Sequence, residues 1–385
     1  MPRLLWLIIL LCLSVAIPAY AQPSLETLKA EAVVTYADIV FASYQDSHSA
    51  ATAMQAAITA FLENPTDETL ASARAAWLAA REPYGQTEAY RFYGGPIDDA
   101  DGPEGLINAW PLDEGYIDYV EGAPDGGIIQ NTADYPVLDA ELLESLNESG
   151  SEENISVGFH AIEFLLWGQD FSADGPGERP VTDYTTAAHA ERRAAYLRLT
   201  TDMLIDHLQF LVDAWDPAGS DNYRAEFLAL SPDTAITRIL TGIGVLSKSE
   251  LAGERMFTAY DNRDQEDEHS CFSDNTHRDI INNFIGIRNV YTGSYLRLDG
   301  TVVSGVSLAD VLNEVDPRLN ASILASLEAA DALVNAIHVP FDQAIILEEH
   351  RPAVLEAVFA LMDLGDDFAQ AATRLGLTID TSLPA

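Results

Sequence analysis

The segment VGFHAIEFLLWGQD, Val157 to Asp170, sets an imidazole and a carboxylate three residues apart inside an otherwise apolar run. On a helix, His160 and Glu163 lie one turn apart on the same face, so a nitrogen and an oxygen donor could approach one cation. A buried pair satisfied by its own partners is the other reading of the same residues. Two ligands do not complete a site. A zinc peptidase of the familiar kind would want HExxH or HxxEH, because a second histidine completes the metal shell. Phe164 follows Glu163 instead, and HExxH occurs nowhere in the chain.

A second cluster lies about a hundred residues on, in the stretch GERMFTAYDNRDQEDEHSCFSDNTHRD. Glu266 and His269 carry the mirror spacing, with Cys271, Asp274 and His277 close behind. Helical bundles that bind iron use Glu-x-x-His on facing helices. One His-x-x-Glu and one Glu-x-x-His fall short of that paired pattern, and an acidic run such as Glu266 to Glu268 also serves to solvate a helix end. A third stretch, AWLAAREPYGQTEAYRFYGGPID, spaces Arg81, Tyr84, Glu88 and Arg91 at near-helical intervals. Arginines beside carboxylates commonly lock a buried ion network, which is the role expected of Arg81 and Arg91, with Glu88 a candidate ligand. Trp77, Tyr84 and Phe92 read as a core stripe.

The elements that must position these groups are helices. In AERRAAYLRLTTDMLIDHLQFLVDAW the apolar positions from Ala190 to Trp215 alternate steps of four and three, the seam of a packed bundle, and Asp216-Pro217 ends it. Similar stripes run from Leu25 to Leu62, Thr66 to Phe92, Pro232 to Tyr260, Asn275 to Tyr291, Asp316 to Ile337 and Phe341 to Leu375. Only TVVSGVSL suggests a short hairpin. The expected class is therefore all-α, with two up-and-down helical bundle domains packed against each other, spanning 22–215 and 221–385, and WDPAGSD between them. Residues 94–150 interrupt the helical pattern with glycine, proline and aspartate, and an ordered loop of that length usually does something. Asp98, Asp99 and Asp101 lack the glycine and terminal glutamate of a calcium-binding EF-hand.

The amino-terminal stretch MPRLLWLIILLCLSVAIPAYAQPS reads as a secretory leader cut after Ala21, which makes the mature chain an exported one. No later run reaches the roughly 18 consecutive apolar residues of a membrane span. With 61 acidic and 20 basic residues the net charge is −41, a field that repels nucleic acid and attracts cations. Beyond the leader Cys271 is the one cysteine, so no internal disulfide is expected.

Three phrases together, GFHAIEFLLWG with its GxHxxE motif at Gly158, His160 and Glu163, REPYGQTEAYRFYGGPID, and QEDEHSCFSDNTHRD, resemble the imelysin family, exported bacterial proteins related to insulin-cleaving membrane protease and iron-regulated protein A. The resemblance spans about residues 30–375. It implies an all-helical periplasmic protein linked to iron acquisition, with a functional cleft where two bundles meet, and family members are catalogued as metallopeptidases. It carries His160 and Glu163 across as site residues, and places Arg81, Glu88, Glu254, His269 and Asp274 in family-like segments. The resulting expectation is a metal site of His160, Glu163, Glu88, His269 and Asp274, supported from behind by Arg81, Arg91 and Glu254. Iron is the expected ion, with zinc the next. A small iron-containing ligand and a membrane iron transporter are the partners such a role calls for. A zinc peptidase using Glu163 and a receptor for haem or another small ligand are the competing functions.

Overall fold

The computed structural model describes residues 23–172 and 174–383; the expected leader and its cut after Ala21 lie outside the described residues. The chain is all-α, with a single two-stranded hairpin among the described residues. Helix α1 (Leu25–Glu63) starts where the Ser24 hydroxyl accepts the Thr27 amide and ends at Asn64, ahead of Pro65. At 39 residues it is about 58 Å long, and it buries side chains along most of its length. Helix α2 (Asp67–Thr87) folds back along it after the Thr66 capping box. The short α3 (Gly158–Trp167) and the long α4 (Ala190–Trp215) complete a first group of helices around α1.

The second group comprises α5 (Pro232–Val245), α6 (Thr276–Thr292), α7 (Pro317–Val334) and α8 (Arg351–Arg374). Buried apolar side chains run continuously from one group to the other. The closest approach between them is α2 against α6. A methyl group added at Gly286 would meet the Gln86 carbonyl oxygen at 2.3 Å, and one at Gly85 would meet the Asn282 side chain at 2.8 Å. Glycine on both helices is what lets the two backbones touch, and this crossing sets Arg81 of α2 beside Asp279 of α6.

Three expected helices are interrupted, each for a visible reason. Helix α2 stops at Thr87 rather than Phe92, because a tight turn follows over Glu88–Tyr90 and the Asp98 carboxylate accepts the amides of Phe92 and Gly95. The run from Pro232 widens after Val245 into a π-type coil, Leu246–Phe257, before resuming as Thr258–Asn262. The last stripe splits into Phe341–Ile346 and α8, which begins with Pro352 in its first turn while the Arg351 guanidinium binds the carbonyls of Ile345 and Tyr260. TVVSGVSL supplies the second strand of the hairpin, β1 (Ser294–Leu296) pairing antiparallel with β2 (Val302–Ser304).

Residues 94–150 are ordered by buried polar contacts, three single helical turns and one two-turn helix, Ala140–Leu146, rather than by a long helix. Their anchor is Asp118, fully buried, whose two oxygens accept from Arg179, Arg193 and Gln130. Burial opposes ionisation of Asp118, but the two guanidinium groups outweigh it and bring its pKa down to about 2. Since the folded value lies below the ordinary 3.8, the network adds about 2 kcal/mol above pH 4, which is lost as the pH falls through about 2. Asp118→Asn should lower stability by about 3 kcal/mol in urea unfolding at pH 7, since it strands two buried cations, and should flatten the acid limb of the stability profile.

Candidate metal centre

Helix α3 carries the motif. Its first residue, Gly158, has φ of 89°, and a methyl group there would meet the Ile107 carbonyl oxygen at 2.6 Å. Glycine is therefore required for the helix to start against the 94–150 segment. All ten residues of α3 are buried, which explains its continuous apolar character. His160 and Glu163 face each other across one turn, with Nδ1 to Oε2 at 2.9 Å. The other carboxylate oxygen of Glu163 accepts from the Ser273 amide at 2.9 Å and the Ser273 hydroxyl at 2.7 Å.

Ser273 belongs to a strap, residues 263–275, that leads into α6. The same strap brings in a second imidazole. His269 packs edge-on to His160 with ring centroids 4.8 Å apart, and its Nδ1 lies 2.8 Å from Asp279 Oδ2. Two imidazoles are thus each oriented by a carboxylate at Nδ1, which turns each Nε2 toward other work. His160 Nε2 is buried and has no hydrogen-bond partner. His269 Nε2 has only the Asn108 amide, at 3.5 Å, the outer limit of a hydrogen bond.

Behind the histidines stands a charge network. Arg81 contacts Asp279 at 3.1 Å, donates to Asn108, and lies over the rings of Phe159 and Tyr84 at 5.0 and 5.4 Å. Ser270 also donates to Asp279. Burial raises the cost of charge on Asp279, but Arg81 and His269 overcome it and hold the carboxyl far below the usual range. Burial, with the nearby Arg255, lowers His269 to about 4, and burial with His269 itself pushes His160 well below its ordinary value. Both rings are therefore neutral near pH 7, the form that binds metal. Burial lifts Glu163 to about 8 despite the Ser273 donors.

The structure distributes the expected site residues as follows. His160, Glu163, His269 and Arg81 come together. Glu88 lies one step removed, its oxygens taken by Arg91 at 2.8 Å, Arg255 at 2.7 Å and Asn108 at 3.4 Å. Those contacts make it the counter-charge of a guanidinium pair rather than an open donor, and Arg91 also reaches Glu104 at 3.0 Å. Glu254 is exposed on the π-type coil, whereas Glu250 makes the contact to Arg255. Asp274 faces away into a different carboxylate cluster with Asp170 and Asp342. Glu266 is exposed, so the mirror spacing Glu266–His269 is not realised in space. Asp279 takes that place. It and Asn108 carry no helical spacing to their partners: the α2–α6 crossing brings in Asp279, and the 94–150 segment brings in Asn108. His277 turns to the Asp274 carbonyl, and Cys271 is a partly buried apolar filler.

The donor set fits a transition metal bound through imidazole nitrogen, because a buried, correctly oriented Nε2 is left without a partner. Replacing Arg81 tests the support. Arg81→Met should cost about 3 kcal/mol in chemical unfolding, and the Asp279 carboxyl should climb toward the ordinary aspartate range in NMR titration.

A model of the imelysin family, Peptidase_M75, matches residues 40–367. Iron-regulated protein A of Synechococcus elongatus is 29% identical over 337 residues, covering 85% of this chain and 81% of that protein. Among solved structures, a protein assigned as an iron-regulated protein A precursor from Parabacteroides distasonis superposes with a TM-score of 0.70 at 23% identity, over 91% of this chain and 96% of the other. An imelysin-like protein from Psychrobacter arcticum gives 0.66 at 15% identity, over 93% and 98%.

Proposed function

The chain belongs to the imelysin family, and from that premise we propose that it is a periplasmic metal-binding protein of iron acquisition, holding its ion where α3 of the first helical group meets the strap and α6 of the second. One observation carries the reading: His160 Nε2 is buried and unpartnered while Nδ1 is fixed by Glu163, with a second carboxylate-oriented imidazole packed against it. His160 and His269 would hold the ion through nitrogen, Glu163 and Asp279 would set tautomer and ring orientation, and Arg81 would keep Asp279 ionised. Bound there, the metal would supply a Lewis acid. The relative named for iron regulation supports iron, with zinc the chemically closest competitor for a pair of imidazoles.

The geometry favours binding over hydrolysis, because both oxygens of Glu163 are occupied and neither is free to activate a water. It also favours a bare ion over haem, since an imidazole with another ring packed 4.8 Å away offers a macrocycle no slot. An exported chain of this kind would hand its ion to a membrane iron transporter.

Equilibrium dialysis with ferrous iron under anaerobic conditions and with zinc, followed by elemental analysis, tests the proposal. His160→Ala and His269→Ala should each abolish the bound equivalent. Glu163→Gln should weaken it by about 10- to 100-fold, as expected when the group orienting a ligand is replaced. Full retention of metal by folded His160→Ala protein would defeat the reading.

A further inference from the structure

Four carboxylates from three separate stretches of chain meet beside the strap. Asp170 follows α3, Glu268 and Asp274 lie in the strap, and Asp342 opens the short helix Phe341–Ile346. One oxygen from each of Asp170, Asp274 and Asp342 lies within 4.8 Å of the other two. Glu268, fully buried, directs its carboxylate at Asp342.

Acidic clusters on a wet surface need no ligand, but the carboxylates of this one are buried and unsatisfied. Glu268 and Asp342 are at most 1% exposed, and no hydrogen bond of ordinary geometry reaches either oxygen of either group. Asp170 Oδ2 and Asp274 Oδ1 are buried without a partner as well. Elsewhere in the fold, buried carboxylates are met by guanidinium groups, as Asp118, Glu88 and Asp279 are. Here like charges face one another. Buried oxygens arranged in that way are complete only when protons or a cation stand among them.

We infer that Asp170, Glu268, Asp274 and Asp342 form a binding site for a hard divalent cation, calcium in the first place, separate from the histidine pair. The donors are all oxygen, which excludes a preference for soft or nitrogen-seeking metals. Calcium takes oxygens at about 2.3–2.6 Å, so oxygens on opposite sides of its shell stand about 4.6–5.2 Å apart, a span that accommodates oxygens within 4.8 Å of one another. Magnesium, at about 2.1 Å, demands stricter octahedral geometry and gives up its waters reluctantly, which a cluster of four protein carboxylates suits less well. Solvent reaches both sides. Asp274 lines a hollow of about 420 Å³ with Glu82 and His277, and Asp170 lines another of about 530 Å³ with Arg74 and Phe171.

The ion joins the end of α3, the strap and the 341–346 helix. Because the strap also carries His269 and Ser273, which contact His160 and Glu163, a cation among the carboxylates fixes the platform on which the histidine pair is built. The inference stands apart from the proposed function, since none of its donors belongs to the histidine pair.

The test is calcium titration of the purified, chelator-stripped chain by isothermal titration calorimetry, paired with thermal unfolding. One calcium equivalent should bind, and calcium near 100 times its dissociation constant should raise Tm by about 5 °C. Magnesium should give a smaller gain. Asp342→Asn and Glu268→Gln should each weaken calcium binding by about 100-fold or more and erase most of the gain in Tm. Without calcium both variants should melt at or above the parent, because each removes a like charge; that result separates a lost ligand from a damaged fold. His160→Ala should keep the calcium response. Absence of calcium binding by the parent, or a response that survives in both amide variants, would overturn the inference. Loss of the response in His160→Ala would place the ion at the histidine pair, ending this inference while leaving the proposed function standing.

Discussion

The arrangement rests on a guanidinium buried between two helices. Without Asp279 the Arg81 guanidinium would stand away from water with no counter-charge, and Asp279 could not stay ionised without Arg81 and its hydrogen-bonded neighbours. The two residues come from helices that meet only because Gly85 and Gly286 present no side chains at the crossing. Removing either partner would leave a charge in a medium that cannot solvate it, so the crossing and the ion pair specify each other. His269 and Ser270 are tied to this pair directly, and Glu88 through Asn108.

From that anchor the chemistry follows outward. Asp279 turns His269, Glu163 turns His160, and Ser273 turns Glu163, so the two rings are positioned by groups on different helices and on the strap between them. Burial keeps both imidazoles neutral while the guanidinium groups keep the flanking carboxylates of Asp279 and Glu88 charged. Neutral nitrogen donors, one of them backed by the anionic Asp279, form an environment in which a metal ion competes well against protons. The acidic surface adds a long-range component, since a net charge of −41 gathers cations around the molecule before any specific contact is made.

The buried charges are handled in two opposite ways. Asp118, Asp279 and Glu88 are matched by arginines within the chain, and they hold the 94–150 segment and the α2–α6 junction in place. Asp170, Glu268, Asp274 and Asp342 face one another, and burial together with that mutual repulsion raises Asp170 to about 6 and Asp274 to about 8. The first kind of arrangement is complete within the polypeptide. The second depends on protons or a cation supplied from outside.

Much was legible from residue order alone, because helical periodicity, capping and proline breaks are local. The all-α class, the stripes of α1, α4, α6 and α7 to within a few residues, the hairpin near TVVSGVSL and the pairing of His160 with Glu163 all follow from spacing along one helix. What tertiary structure decided is everything that crosses from one helix to another. Asp279 rather than Glu266 orients His269, and Glu88 is enclosed by arginines. Glu250 replaces Glu254 at Arg255, and Asp274 turns from the histidines to Asp170 and Asp342. The physical reason is range: a helix fixes neighbours three and four residues apart, whereas contacts between residues nearly two hundred positions apart, such as Arg81 and Asp279, are set by where two backbones can approach.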